Sequence, residues 1–520
     1  MIGRLPRRNI AGAALLLMAA YVLSRFMGLA RDVAIGYQFG TGPEYEAYLA
    51  GIRIPDLIFQ VMAGGAVASA FIPVFTRYIA RDDEEDGWRL VSALFNLTLI
   101  VLVPIVVLLI MFVPYIMPLL TPEWQPQKQA MATTMARIMM VAPIFFALGC
   151  FTTSVLNSYQ RFFLAALAPT AYNVGIITGA LVFSPTFEEA GLIRGYGLAL
   201  GATLGSVLFL LVQLPGLVQV GMAYRRVLDL AHAGVREVGR LMVPRALGLG
   251  AYQLNLLVVL YFASGVSGGY AALNYALLLS NLPLGIFAFT ISSAAFPALA
   301  EHVAADRRDQ MKATLARSFR SILYLTVPAS VGIIVLREPI VRLLFERGAF
   351  TETSTAATAY AVQFYAISLA AQASTEIMAR AFYAMADTRT PVLVAGAAIA
   401  ANLALCWALV GPLQQGGLAL ALSIAAIGEG TALFVLLRRR LAGFGDGRLA
   451  VHLAKISGAA LLMGVALWLV LLLLPLGAAS GLLLLALVAL SIGLGAAVYL
   501  LLTVARGCEE PTLLARAVRL

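Results

Sequence analysis

The chain has 520 residues, of which 61% are hydrophobic and only 12% charged, about half the charged share of a soluble domain. Its mean hydropathy is +0.90, and runs of about twenty apolar residues recur along the whole length, so it reads as an all-α polytopic membrane protein. The alternating strands of a transmembrane barrel are not evident, and the formal charge of +10 sits mostly in short loops, a positive-inside pattern rather than a nucleic-acid face.

The first apolar stretch, residues 10–35, reads IAGAALLLMAAYVLSRFMGLARDVAI. It is long enough to cross a bilayer, yet Arg25, Arg31 and Asp32 stand in its second half. An ionisable residue at membrane depth costs roughly 2.5–3.5 kcal/mol on insertion scales, so such residues face a cavity, a partner charge or a substrate. Arg25, Gly28 and Asp32 fall on one helical face, with Gly28 leaving that face open. Arg31 lies about a third of a turn away. Either the helix bends near Gly28, or only Arg25 points inward. Arg4, Arg7 and Arg8 precede this run, but it is too long for a signal peptide and leads into charged helix.

Further apolar stretches lie near residues 46–79, 91–120, 130–156, 162–183, 193–222, 240–264, 270–299, 319–336, 356–384, 391–411, 416–437, 452–475 and 480–503, giving about fourteen spans. Basic clusters around Arg77, Arg225, Arg307, Arg438 and Arg506 then share one side with the N-terminus, which places both termini in the cytoplasm. One outer loop, residues 337–354, carries three arginines and is expected to lie along the interface as an amphipathic helix. A faint internal repeat is also present. Phe71 and Phe296 are 225 apart, Tyr159 and Tyr383 are 224 apart, and Pro169 and Pro391 are 222 apart. This spacing suggests two six-helix halves followed by two more helices, an arrangement familiar in transporters. The divisions expected are 1–223, 224–440 and 441–520.

In the second span Glu46, Arg53, Asp56, Gln60 and Gly64 share a face, and Pro55 implies a kink. In the tenth, Gln372, Glu376 and Arg380 step by four, and the last two can neutralise one another. Asn173, Gln253, Asn255, Asn274 and Asn281 are expected mainly as interhelical hydrogen bonders. Arg25, Arg31 and Arg53 outnumber Asp32 and Asp56, and a buried cationic surplus suits a phosphate, because the guanidinium fork makes bidentate charge-assisted bonds. No nucleotide-binding or hydrolase motif is visible, so no enzyme activity and no nucleotide are expected. Cys150, Cys406 and Cys508, with His232, His302 and His452, show no metal-ligand spacing, so no metal or other cofactor is expected, although ion coupling stays open.

Several motifs match a known family. SRFMGLARD (24–32), FGTG (39–42), IRIPDL (52–57) and GGAVASAFIPVF (64–75) resemble the N-terminal signature of the MurJ/MviN lipid II flippases. So do LNSYQRFFLAALAP (156–169), PRALGLGAYQLN (244–255), LFERGAFT (344–351) and RAFYAMADTRTPV (380–392). The resemblance implies the fold of the multidrug/oligosaccharidyl-lipid/polysaccharide exporter superfamily, with two six-helix lobes around a central cavity and two C-terminal helices. It further implies an undecaprenyl-pyrophosphate-linked glycopeptide as substrate, membrane lipids and cell-wall synthesis proteins as partners, and the bacterial inner membrane as location. Carried onto this sequence, the substrate site comprises Ser24, Arg25, Arg31, Asp32, Arg53 and Glu46, the last replacing a usual aspartate. Asp56, Asn281, Glu376 and Arg380 are candidates for gating or coupling. The chain departs from the family where Phe59, Gly64, Leu278 and Asn281 replace charged residues, which leaves another polyprenyl-linked glycan open as substrate. Two rivals are a drug or ion antiporter using Asp32, Asp56, Glu376 or Glu429, and a non-transporting scaffold for cell-wall synthesis.

Overall fold

The structure, a computed structural model, describes residues 10–63, 66–443, 446–474 and 479–511. Those residues are helices joined by short turns and by one longer connection between Gln219 and Ala233, and the chain divides into two compact units, Met1–Gly265 and Val266–Leu520. Among the described residues nine helices are long and apolar enough to cross a membrane. The other apolar stretches are also helical, but they are shorter, interrupted or more charged.

The first unit contains α1 (Ile10–Phe39), α2 (Pro43–Ala63), α3 (Ala66–Ala80), α4 (Glu84–Leu120), α5 (Pro126–Met139), α6 (Ala142–Ser158), α7 (Phe162–Thr178), α8 (Ser184–Glu189), α9 (Gly195–Leu211), α10 (Leu214–Gln219) and α11 (Ala233–Ala263). Glycines bring α7 and α9 together. Gly175 and Gly179 on α7 face Gly201 and Gly205 on α9, and a Cβ on Gly175 would sit 2.3 Å from the Gly205 backbone. Small residues four apart let two membrane helices pack backbone to backbone, where van der Waals contact replaces the missing hydrophobic drive. α1 packs on α7, so the α7–α9 seam fixes the wall against which the charged half of α1 rests.

A non-helical segment, residues 222–229, lies along the start of α4. The Arg225 N–H donates to Ser92 Oγ at 3.0 Å, and Asn96 Nδ2 donates to the Val227 carbonyl at 2.8 Å. Arg225 pairs with Glu85 and Arg89 with Asp229, both at 2.7 Å. His232 then caps α11, its Nδ1 accepting from the Gly234 N–H while Nε2 meets Asp86 Oδ2 at 3.2 Å. α11 packs on α2, α3 and α4.

The second unit contains α12 (Gly269–Pro283), α13 (Thr290–Ala304), α14 (Arg308–Phe345), α15 (Glu352–Ile367), α16 (Leu369–Ala384), α17 (Arg389–Leu441), α18 (Asp446–Leu473) and α19 (Gly481–Ala505). Its core is built from α14, α16, α17 and α18, with Leu315, Ile322, Ile377, Leu433 and Ile456 wholly buried. α17 is two helices in sequence, broken at Gln414 (φ 50, ψ −131), between the expected spans 391–411 and 416–437. The interfacial helix expected over 337–354 is not a separate element. Residues up to Phe345 continue α14 through Pro339, with Val341 and Phe345 buried, and α15 begins at Glu352.

The internal repeat is legible in the backbone. α3 and α13 are each 15 residues long and begin 224 positions apart, as do α4 and α14. The turns before α4 and α14 place Asp82 and Asp306, also 224 apart, at φ 55 and φ 51. Positive φ is uncommon outside glycine, so its recurrence at equivalent positions is a specific signature of duplicated local structure.

Candidate functional site: a braced arginine on the first helix

Arg31 and Asp32 are adjacent on α1 and therefore leave the helix about 100° apart. The arginine stem folds back, so that Nε donates to Asp32 Oδ1 at 3.0 Å and Nη2 to Oδ2 at 3.1 Å. Nη1 donates to Asn173 Oδ1 on α7 at 3.1 Å. Asn173 Nδ2 reaches back to the Ser24 carbonyl at 3.5 Å, and a Cβ on Gly28 would lie 3.9 Å from the same nitrogen. Ser24, Gly28 and Arg31 thus form the face of α1 turned toward α7, spaced i, i+4, i+7.

This resolves the orientation left open by the sequence. α1 runs unbroken through Gly28, and Arg31, not Arg25, turns toward the packed helices. Arg25 is exposed and bonds within its own helix, Nη2 donating to Tyr21 Oη at 2.7 Å with the guanidinium over that ring. Gly28 does not leave a face open but admits Asn173.

A guanidinium has five N–H donors. Three are engaged here, and two have no partner among the described residues. The Arg31 side chain is 27% exposed while Asp32 is 8% exposed, so the carboxylate is the buried anchor and the fork retains an open edge. Tyr48 and Tyr172 are close enough to act on the Arg31 charge. On α2, Asp56 is hydrogen-bonded by Gln60 and lies within the field of both Arg53 and Arg31. Arg31, Asp32, Arg53 and Asp56 therefore belong to one electrostatic cluster, and Arg25 stands apart.

Glu46 is buried at 1% exposure, and its carboxylate accepts from Lys128 Nζ on α5 at 2.5 Å. Glu46, expected in the substrate site, is thus engaged in a pair that ties α2 to α5. Lys128, whose amine also lies 3.8 Å from the centre of the Trp124 ring, was not singled out from the sequence, because it sits in a polar connection with no motif. Phe59 packs on Phe146 with ring centres 4.1 Å apart, completing an apolar cluster with Phe209 and Ala168. Gly64 lies outside the described residues.

In the second unit Glu376 and Arg380 form the expected i, i+4 pair at 3.9 Å. Glu429 on α17 lies close enough to feel the Glu376 charge, as does Tyr383. Leu278 is half-buried, and Asn281 is exposed on α12.

A protein-family model described as "Lipid II flippase MurJ" matches residues 35–488. The "Probable lipid II flippase MurJ" of Rhizobium meliloti (strain 1021) is 30% identical over 461 residues, covering 86% of this chain and 84% of the relative. The "Lipid II flippase MurJ" of Burkholderia cenocepacia is 30% identical over 440 residues, with 83% and 84% covered. Among solved structures, "Lipid II flippase MurJ, inward closed conformation" superposes with a TM-score of 0.78 at 24% identity, over 94% of this chain and 98% of that one. An inward-facing multidrug resistance MATE family transporter of the MOP superfamily follows with a TM-score of 0.69 at 16% identity, over 82% and 98%. The fold is thus the one these two solved structures share, and the chain belongs to the MurJ lipid II flippase family.

Proposed function

We propose that this protein moves lipid II from the cytoplasmic to the outer leaflet of the bacterial inner membrane by alternating access, with both termini in the cytoplasm. The observation that carries the site is the braced fork of Arg31. Asp32 and Asn173 hold its plane, and the two remaining N–H groups match two oxygens of a pyrophosphate. Preorganisation of this kind lowers the ordering cost of binding. Arg53 assists from α2, and Arg25, which has an exposed head, meets the anion before or after Arg31. An anionic headgroup moving outward runs with an inside-negative potential, worth roughly 2.3 kcal/mol per charge per 100 mV, so no ATPase is needed. Glu376, Arg380 and Glu429 form the gating or ion-coupling group in this reading.

A second reading, transport of another polyprenyl-linked glycan, is favoured by one feature. Phe59 stands where the family usually carries an arginine, and it is committed to an apolar cluster. Native mass spectrometry of the purified protein with undecaprenyl-pyrophosphate lipids separates the two. Lipid II retained over undecaprenyl pyrophosphate alone, with both lost in Arg31→Ala, supports the first reading. Retention of the bare carrier with no preference for the glycopeptide favours the second.

A further inference from the structure

Near the start of α18 and just beyond the end of α19, three donor side chains converge that the transport reading does not use. His452 comes from α18, while Cys508 and Glu510 follow the last turn of α19. Gly507, at φ 68, turns the chain back, and the Cys508 N–H closes that turn on the Thr503 carbonyl. One ligating atom from each of the three side chains lies within 4.8 Å of the other two. His452 Nδ1 and Glu510 Oε2 are 3.7 Å apart, near the edge length of a tetrahedron with zinc–ligand bonds of about 2.0–2.3 Å.

The imidazole and the carboxylate are 7% and 4% exposed. Glu510 Oε1 faces Arg320 Nε at 3.9 Å, whereas Oε2, turned toward the imidazole, has no hydrogen-bond donor. Buried polar atoms in folded proteins find partners, and this carboxylate oxygen, with a thiol and an imidazole beside it, offers a cation three converging ligands. A cavity of about 370 Å³, lined by Arg320, His452, Lys455, Cys508 and Glu510, adjoins the cluster and has room for a metal-bound water. An anion there would meet the unpaired Glu510 oxygen. Arg320 is itself engaged by Glu509 at 3.4 Å, which tempers its repulsion of a metal. A sulfur, a nitrogen and a single carboxylate suit a borderline ion such as Zn²⁺, not Mg²⁺ or Ca²⁺, which are held by sets of oxygens.

We infer that His452, Cys508 and Glu510 form a zinc site that fastens the segment after α19 to α18, with water as the fourth ligand. The sequence conceals it, because His452 and Cys508 are 56 positions apart and belong to no spacing motif.

The test uses the untagged full chain in detergent, stripped with a chelator and titrated with zinc chloride against a chromophoric competitor, and in parallel with cobalt chloride. One zinc per chain is expected, with thiolate charge-transfer and tetrahedral d–d bands on cobalt loading. Cys508→Ser removes the charge-transfer band, and Cys508→Ser or His452→Ala weakens zinc binding by about tenfold or more. Cys406→Ser, distant in α17, changes neither. Zinc should raise the unfolding midpoint of the wild type but not of Cys508→Ser, whose metal-free midpoint matches the wild type. Zinc affinity unchanged in the Cys508→Ser, His452→Ala double variant, or wild-type binding no greater than in the variant that also carries Glu510→Gln, overturns the inference.

Discussion

Arg31 is held by two different kinds of partner, and they fail differently when removed. Asp32→Ala strips a part-buried cation of its counter-charge. The expected loss is about 3 kcal/mol, the lower end for a broken buried pair because Arg31 keeps an open edge. Asn173→Ala removes one bond and frees the fork to swing, costing about 1 kcal/mol of stability but a larger share of transport. Unfolding midpoints and flipping rates of the two variants check this ordering. A further residue-scale prediction concerns Asp387, between α16 and α17. The Thr390 N–H and hydroxyl, with Arg440, bring its carboxyl down to about 2. A lowered carboxyl pKa stabilises the fold above the unfolded value of about 4 and loses that contribution as pH falls toward 2. Wild type should therefore unfold at a higher temperature than Asp387→Asn at neutral pH, with the gap closing across that window. The charges on α1 were legible in the sequence, because an ionisable residue in an apolar run is a local anomaly. Their orientation was not. Residues 31 and 32 diverge on an ideal helix, and only the folded-back guanidinium joins them.

Between elements, the α7–α9 seam positions Asn173 and Tyr172. A Cβ on Gly201 would come within 2.3 Å of the Gly179 Cα, so Gly201→Ala forces the helices apart. The expected cost is about 3 kcal/mol, at the top of the usual overpacking range, with transport impaired because Asn173 retreats from Arg31. Gly493→Ala, where an added Cβ meets nothing within 4 Å, should be neutral. Thermal unfolding in detergent measures both. Apolar stretches foretold where the helices lie, since hydropathy is local. The sequence overdivided α14, however. Its arginine-rich end resembles an interfacial segment, yet the helix continues past the apolar window: Arg342 pairs with Glu346 one turn on, and the Arg337 guanidinium bonds the Ile334 carbonyl. The Glu46–Lys128 pair between α2 and α5 had no signature, because only tertiary packing brings it together.

Across the whole molecule, the offset of 222–225 residues between Phe71 and Phe296, Tyr159 and Tyr383, and Pro169 and Pro391 reappears as helices and positive-φ turns matched at 224 residues. The matched elements, α3 with α13 and α4 with α14, share one local plan, while the charge differs between the two compact units: Arg31, Asp32, Arg53 and Asp56 cluster in the first, Glu376, Arg380 and Glu429 in the second. A carrier of an anion driven by membrane potential should slow when that potential is collapsed by potassium and valinomycin, with protein level and substrate pool unchanged. The central claim is that the braced Arg31 fork binds the pyrophosphate of lipid II during transport. It is tested most directly by measuring outer-leaflet lipid II in cells depleted of their own flippase and supplied with this chain, as wild type or Arg31→Ala, at matched membrane levels. Exposure should be restored by the wild type and lost in the variant. Full exposure from well-folded Arg31→Ala protein would contradict it.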